Sequence, residues 1–386
     1  MSFNDKIDEW IKEAETRPAS ALMILKLVAN RLRDLTERNE QLLAENLALQ
    51  DGTRVQDYQK RIVHLERQLD MLKRQVGDGS SLAALPVEAE SLNLLVYNAQ
   101  GQVFRFALQD NPKTLGRISG ELVSDGEFPR LLAVPAHEEL LLLFTSGRVS
   151  TLRAEDIPLT EGNSFPWEMA AQPDEPHAGE LLASLMPLSR LPLADFFLQA
   201  SRRGFVKKTL TSLAQSILDN HYLGRGTTQK SDQPFDALLC QKGERYVLVT
   251  YEGRLLGLEV DDLTYSAEER IRISATDYVI AAFTLQPERA ILCVTQNGKV
   301  IQREAGFVEA AKSVASRGQA LISPSRLEQG VRFIGAAALK ETDKVAVLDA
   351  EGQLTVYEAG QAASAGTLQA GAMLLSIGVI PTEKSR

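Results

Sequence analysis

Residues able to support catalysis or hold a metal are sparse in this chain. The four histidines, His64, His137, His177 and His221, are scattered, and none lies at ligand spacing from a cysteine or carboxylate, as a zinc or general-base site requires. Cys240 and Cys293 each sit inside an apolar run, the setting of a small buried hydrophobe rather than of a disulfide or metal ligand. Gly224-Arg225-Gly226 lacks the following glycine and lysine of a phosphate-cradling nucleotide loop. No catalytic residue, metal or cofactor is expected, and the chain reads as a binding protein rather than an enzyme.

Basic residues carry the remaining chemistry, which is phosphate neutralisation. Between Phe196 and Ser231 lie Arg202, Arg203, Lys207, Lys208, Arg225 and Lys230 against the single acid Asp219, a local balance of +5. Lys299, Arg303 and Arg317 extend the candidate set, and Arg148 and Arg254 stand at similar places in a repeat of the sequence. The surroundings are acidic: 42 Lys and Arg against 51 Asp and Glu give −9 overall, and −8 of this falls after residue 87. General attraction to polyanions is therefore excluded, and any nucleic-acid contact must be narrow, weak and strongly dependent on salt. Glu155 to Glu180 is acidic and contains Pro158, Pro166, Pro173 and Pro176, an inserted loop expected to repel DNA on its side.

The elements that must position these cations are set by that repeat. Six times an apolar run leads through a few polar residues to a glycine and then to an apolar residue two positions on, with the glycines at 101, 147, 204, 253, 298 and 352. They span 251 residues over five intervals, about 50 each, and a strand-only repeat of that period is the mark of a β-propeller. Each copy reads as a hairpin whose turn needs φ > 0, with Gln296-Asn297-Gly298 the clearest. A further apolar strand stands ahead of five hairpins, and a spare one, Met373 to Ile377, follows the sixth. We expect this C-terminal strand to complete the sheet begun at residue 92 and so close a ring without exposed edges. Stacked in that way, the cations of the return strands share one rim.

Residues 1–76 are of another kind, dense in Leu, Glu, Gln, Arg and Lys, which is helix composition. Leu25, Leu32, Asn39 and Asn46 fall seven apart, as do Val28, Leu35, Leu42 and Leu49, forming an a/d seam of a coiled coil; asparagine at two a positions favours a parallel dimer. A second seam runs through Val55, Tyr58, Ile62, Leu65, Leu69, Leu72 and Val76, out of phase with the first across Gln50-Asp51-Gly52. A helical hairpin and a stutter in a continuous coil both fit that break. The expected organisation is a helical oligomerisation stalk at 1–76, a linker at 77–91, an all-β six-bladed propeller at 92–380 and a tail at 381–386. No apolar run is long enough to span a bilayer and the N-terminus lacks a secretion signal's apolar core, so a cytoplasmic homodimer is expected, with no membrane contact.

Segments such as Ala290-Ile291-Leu292-Cys293-Val294-Thr295-Gln296-Asn297-Gly298-Lys299-Val300 and Phe197-Leu198-Gln199-Ala200-Ser201-Arg202-Arg203-Gly204-Phe205-Val206-Lys207-Lys208 resemble blades of the C-terminal domain of the DNA gyrase A subunit and its topoisomerase IV counterpart. That resemblance covers about residues 90 to 380 and implies a six-bladed β-pinwheel that binds and bends duplex DNA around a basic rim. Two departures stand out. The family's basic glycine-rich box is absent, its nearest echoes being Leu115-Gly116-Arg117, Leu223-Gly224-Arg225-Gly226 and Ser316-Arg317-Gly318, and the DNA-cleaving region is missing. The expected function is non-catalytic DNA binding and bending linked to DNA topology. The alternative is a protein-interaction scaffold whose acidic propeller meets a protein partner.

Overall fold

In a computed structural model, the structure describes residues 91–108, 113–123, 127–311, 313–369 and 371–382. The expected stalk and its seam residues lie outside these. The chain divides into two units, Met1–Leu85 and Pro86–Arg386, and the described residues all belong to the second.

Six sheets, antiparallel except where Thr114–Ser119 runs parallel to Ser164–Pro166, succeed one another along the chain. Each starts with one of the hairpins read from the sequence, and the strand that comes after the hairpin pairs with the hairpin's first strand. Blade 1 is Leu92–Tyr97 and Val103–Ala107 with Arg130–Pro135. Blade 2 is Glu139–Phe144 and Val149–Arg153 with Leu182–Pro187, and blade 3 is Phe196–Ser201 and Phe205–Leu210 with Pro234–Cys240. Blade 4 is Arg245–Thr250 and Arg254–Glu259 with Val279–Leu285. Blade 5 is Ala290–Thr295 and Val300–Glu304 with Phe333–Leu339, and blade 6 is Lys344–Asp349 and Gln353–Glu358 with Leu374–Ile380.

The expectation for the C-terminal strand is thereby corrected. Leu374–Ile380 pairs with Lys344–Asp349 of its own blade, Val347 opposite Ile377, and not with the strand begun at Leu92. The apolar strand ahead of each later hairpin is the third strand of the preceding blade, so no strand is spare. These third strands form an inner layer in which neighbours pack on one another from blade 2 round to blade 1, with the seam between blades 1 and 2 the exception. Small residues permit the approach: a Cβ on Gly335 would press on Ile377, and one on Gly378 on Leu131. Arg130 pins blades 1 to 3 at this inner layer. It pairs with Asp236 at 3.1 Å and donates to the carbonyls of Ala183 and Phe235 at 2.5 and 2.8 Å.

Closure is made by strand exchange. Between its hairpin and its inner strand, every blade sends a segment back to the outer strand of the blade before it. Glu268–Glu269, ahead of the inner strand of blade 4, pairs with Phe205 and Val206 of blade 3, and Gln319–Ala320 of blade 5 pairs with Leu255 and Arg254 of blade 4. Single bridges repeat the pattern: Ala171 to Val103, Tyr222 to Arg148 and Thr367 to Lys299. The first blade's segment, Thr114–Ser119, completes the circle by pairing with Gln353–Thr355 of blade 6.

The six repeat glycines are where the exchanged segments dock. All have φ between +78° and +91°, a region open to glycine at little cost. Five of their carbonyls accept the incoming segment's N–H: Leu223 to Gly147, Arg270 to Gly204, Leu321 to Gly253, Leu368 to Gly298 and Ile118 to Gly352, at 2.7 to 3.0 Å. The core divides accordingly into clusters bridging neighbouring blades, among them Leu292, Val294, Val345, Val347 and Leu374 between blades 5 and 6.

Candidate nucleic-acid interface

Strand exchange defines one equivalent rim position per blade: the residue after the turn glycine, flanked by the neighbouring blade's exchanged segment. These residues are Gln102, Arg148, Phe205, Arg254, Lys299 and Gln353. Arg254 lies opposite Ala320, Lys299 opposite Thr367, and Gln353 opposite Arg117 of the exchanged strand. Blades 4 and 5 therefore each present a cation at this position, and at blade 6, which offers Gln353, the cation is Arg117 on the exchanged strand opposite it. Arg254 and Lys299 have no side-chain partner among the described residues. Arg117 is exposed and spends only its Nε, on the Glu351 carbonyl at 2.7 Å.

Two further arginines join this arc where exchanged segments run side by side. Ile271 bridges Ser316 in parallel register, and Arg272 N–H donates to the Ser316 carbonyl at 2.8 Å. Arg272 and Arg317 follow in step on adjacent segments, so both side chains leave on the same face. Both are exposed and unpartnered among the described residues. Arg272 was missed in the sequence because its neighbour exists only through the exchange; its one signal was equivalence to the basic echoes around Arg117, Arg225 and Arg317, which all lie in exchanged segments.

The blade 3 cluster is mostly spent on the fold. Lys208 is 6% exposed; its Nζ donates to the carbonyls of Val260 and Asp261 at 3.2 and 3.0 Å and lies over the rings of Phe196 and Tyr265. Arg202 pairs with Glu127 and stacks between Phe235 and Tyr278. Burial lowers its guanidinium to about 10, against the opposing pull of Tyr278 and Asp232, so it stays charged at neutral pH. Arg203 ties the turn of blade 3 to the carbonyls of Ser274 and Asp277 at 2.9 and 2.6 Å. Burial pushes the Lys207 ammonium down, and its Nζ reaches the Leu223 carbonyl at 3.4 Å. Arg225 closes a loop onto the carbonyls of Lys230 and Asp232. Arg303 donates to the Gln302 carbonyl and lies over Phe307 at 5.0 Å. Of the residues expected from sequence, Lys230, Lys299 and Arg317 are exposed, and the structure does not gather the nine into one patch.

No cluster of metal-ligating side chains occurs among the described residues, and no described helix is long and apolar enough to cross a membrane. Cys240 and Cys293 are free and buried, and burial pushes both thiols up to about 12.

No protein-family model matches the chain, and no curated protein matches it. Solved structures do. The DNA gyrase A C-terminal domain aligns at 14% identity over 75% of this chain and 99% of that one, with a TM-score of 0.57. The C-terminal domain of DNA topoisomerase IV aligns at 17% identity over 77% and 95%, with a TM-score of 0.49. The E. coli ParC C-terminal domain aligns at 11% identity over 75% and 99%, with a TM-score of 0.35. The strand region thus has the fold of the gyrase A C-terminal domain, and at such identity the likeness is one of fold.

Proposed function

We propose that this chain binds duplex DNA along an arc of its rim formed by blades 4, 5 and 6, through the phosphate backbone and without reading bases. One observation carries the proposal: Arg254 and Lys299 occupy equivalent rim positions on consecutive blades, Arg117 stands on the exchanged strand opposite the same position of the next, all three with guanidinium or ammonium groups available, and Arg272 and Arg317 widen the same arc. Evenly repeated cations on a curved edge suit a duplex bent along it, since phosphate contacts fix register while the bend draws in further contacts. The track is partial, because blade 1 offers Gln102, blade 3 offers Phe205 opposite Glu269, and Arg148 of blade 2 is already paired. This accommodates a net negative chain, as attraction is local.

If residues 1–76 form the dimeric zipper read from their heptads, two such arcs act on one duplex, and avidity offsets the weakness of each. Sedimentation of the full chain checks this, and a monomer at micromolar concentration removes it. Binding itself is tested by mobility shift on a duplex of about 150 base pairs, one persistence length, at low and moderate salt. A shift that fades with salt is expected, and its absence at low salt removes the proposal.

A second reading, a protein-interaction scaffold, is favoured by one feature. Leu193, Leu210 and Leu213 are exposed together at the end of blade 3 away from Gly204, an apolar group on a surface that otherwise carries excess acid.

A further inference from the structure

Arg148 follows Gly147 as Arg254 follows Gly253 and Lys299 follows Gly298, yet it is closed off. Its guanidinium stacks on the Phe144 ring at 3.8 Å. Nη1 donates to Asp174 Oδ2 at 2.9 Å, Nε to Glu180 Oε2 at 3.1 Å, and Nη2 to the Glu175 carbonyl at 3.4 Å. Ser150 Oγ donates to the same Asp174 oxygen at 2.5 Å, and Ser146 Oγ donates to Glu180 Oε1. Arg148 is left 19% exposed and Glu180 10%. Burial works to raise the Glu180 carboxyl, but the Ser146 hydroxyl, the His177 N–H and Arg148 hold it below the usual carboxylate range.

The carboxylates come from a strap, residues 172–180, that forms no strand and contains Pro173 and Pro176. It is tied down at its ends, by Gln172 Nε2 to the Gln100 carbonyl and by Leu181 N–H to Thr145 Oγ1. It also lies against the turn of blade 1, where a Cβ on Gly101 would meet Pro176 and the Asp174 carbonyl. One guanidinium fork and two hydroxyl donors, all converging on acidic oxygens, are the groups that a phosphodiester's two free oxygens require. Two carboxylates on one cation leave the strap with surplus negative charge, so a simple structural ion pair does not account for the second acid.

We propose that Arg148, Ser146 and Ser150 form a further backbone-phosphate site on the rim, occupied intramolecularly by Asp174 and Glu180, so that the strap withholds blade 2 from DNA. This rests on the DNA reading above. The chemistry is an exchange of one anion for another, and freeing the site adds a phosphate contact on blade 2 beyond the arc of blades 4 to 6.

The test measures duplex affinity of the full chain by fluorescence anisotropy between 50 and 200 mM salt, for wild type, D174N/E180Q and D174N/E180Q/R148Q. D174N/E180Q is expected to bind more tightly at 50 mM and to show a salt slope steeper by about 0.9, an extra ~3.5-fold loss of affinity across that range. Adding R148Q should cancel both changes. An unchanged slope in D174N/E180Q, or a gain that survives R148Q, overturns the proposal. Should the double variant fail to fold, D174S/E180S, which removes the same two charges from Arg148, is read in the same way. Wild type that binds beside an unaltered D174N/E180Q removes the strap site only, whereas no binding by any of the proteins at 50 mM removes the DNA reading as well.

Discussion

Replacing Arg117, Arg254 and Lys299 together with glutamine tests the rim most directly. Five cations on the arc, with Arg272 and Arg317, have guanidinium or ammonium groups available, and each phosphate neutralised contributes about −0.9 to the slope of log affinity against log salt. Wild type should therefore show a slope near −4.5 and lose about 500-fold in affinity between 50 and 200 mM salt. With two cations left, the slope should fall to about −1.8 and the loss to ~12-fold. The substitutions are mild for the fold, because the three side chains make one hydrogen bond between them, from Arg117 to Glu351, and surface changes of this kind stay within about 0.5 kcal/mol. Anisotropy titrations at four salt concentrations, with thermal unfolding alongside, measure both. Lys208→Gln is the counter-experiment: its ammonium is committed to two carbonyls and two rings, so it should destabilise the protein and leave the slope alone. A triple variant whose slope stays within about 0.5 of wild type would refute the reasoning.

Gly298→Ala should cost about 2 to 4 kcal/mol in urea unfolding, because a Cβ there collides with the Leu368 carbonyl that arrives by exchange. Gly243→Ala, at a similar φ of +76° but with nothing within 4 Å, should cost only about 1 kcal/mol; equal losses would show that turn strain and not docking matters. Asp236→Ala leaves Arg130 without its carboxylate at the inner layer and should cost about 3 kcal/mol, and a loss under about 1 kcal/mol would argue against the pin. Cys240 and Cys293, with thiols held up to about 12, should resist alkylation in the folded protein at pH 8 and react once it unfolds. Unfolded thiols titrate near 8.5, so their contribution is intact below about pH 8.5 and is lost as pH climbs toward about 12; rapid native labelling contradicts the burial.

The hairpins were legible because a φ > 0 turn leaves a local trace, a glycine after polar residues between apolar runs. Which hairpin owns the next strand was not, since Leu131-Leu132-Ala133-Val134 is equally apolar whether it joins the sheet before or after it. The exchanged segments escaped for a stronger reason: pairings as short as Glu268–Glu269 have no periodicity of their own. That loss carried over to the candidate site. Lys299 and Arg317 were visible as basic residues in the repeat, but Arg272 acquires its neighbour only when two exchanged segments meet. The opposite error befell Arg202 and Lys208, since a run of adjacent cations looks solvated until the rings of Phe235, Tyr278, Phe196 and Tyr265 are placed around it.

Strand exchange also sets a timetable for synthesis. Gly116 and Gln353, hydrogen-bonded across the seam, are 237 residues apart, so Thr114–Ser119 emerges early and waits for almost the entire ring before its partner exists. At ~5 to 20 residues per second, that wait lasts about 12 to 50 s. Throughout it, the first blade carries a strand with open backbone donors and acceptors, the kind of edge that recruits other chains. The nascent protein is thus at greatest risk of misassembly just before blade 6 is complete, and slowing translation within residues 300–350 should raise aggregation more than the same delay after residue 380.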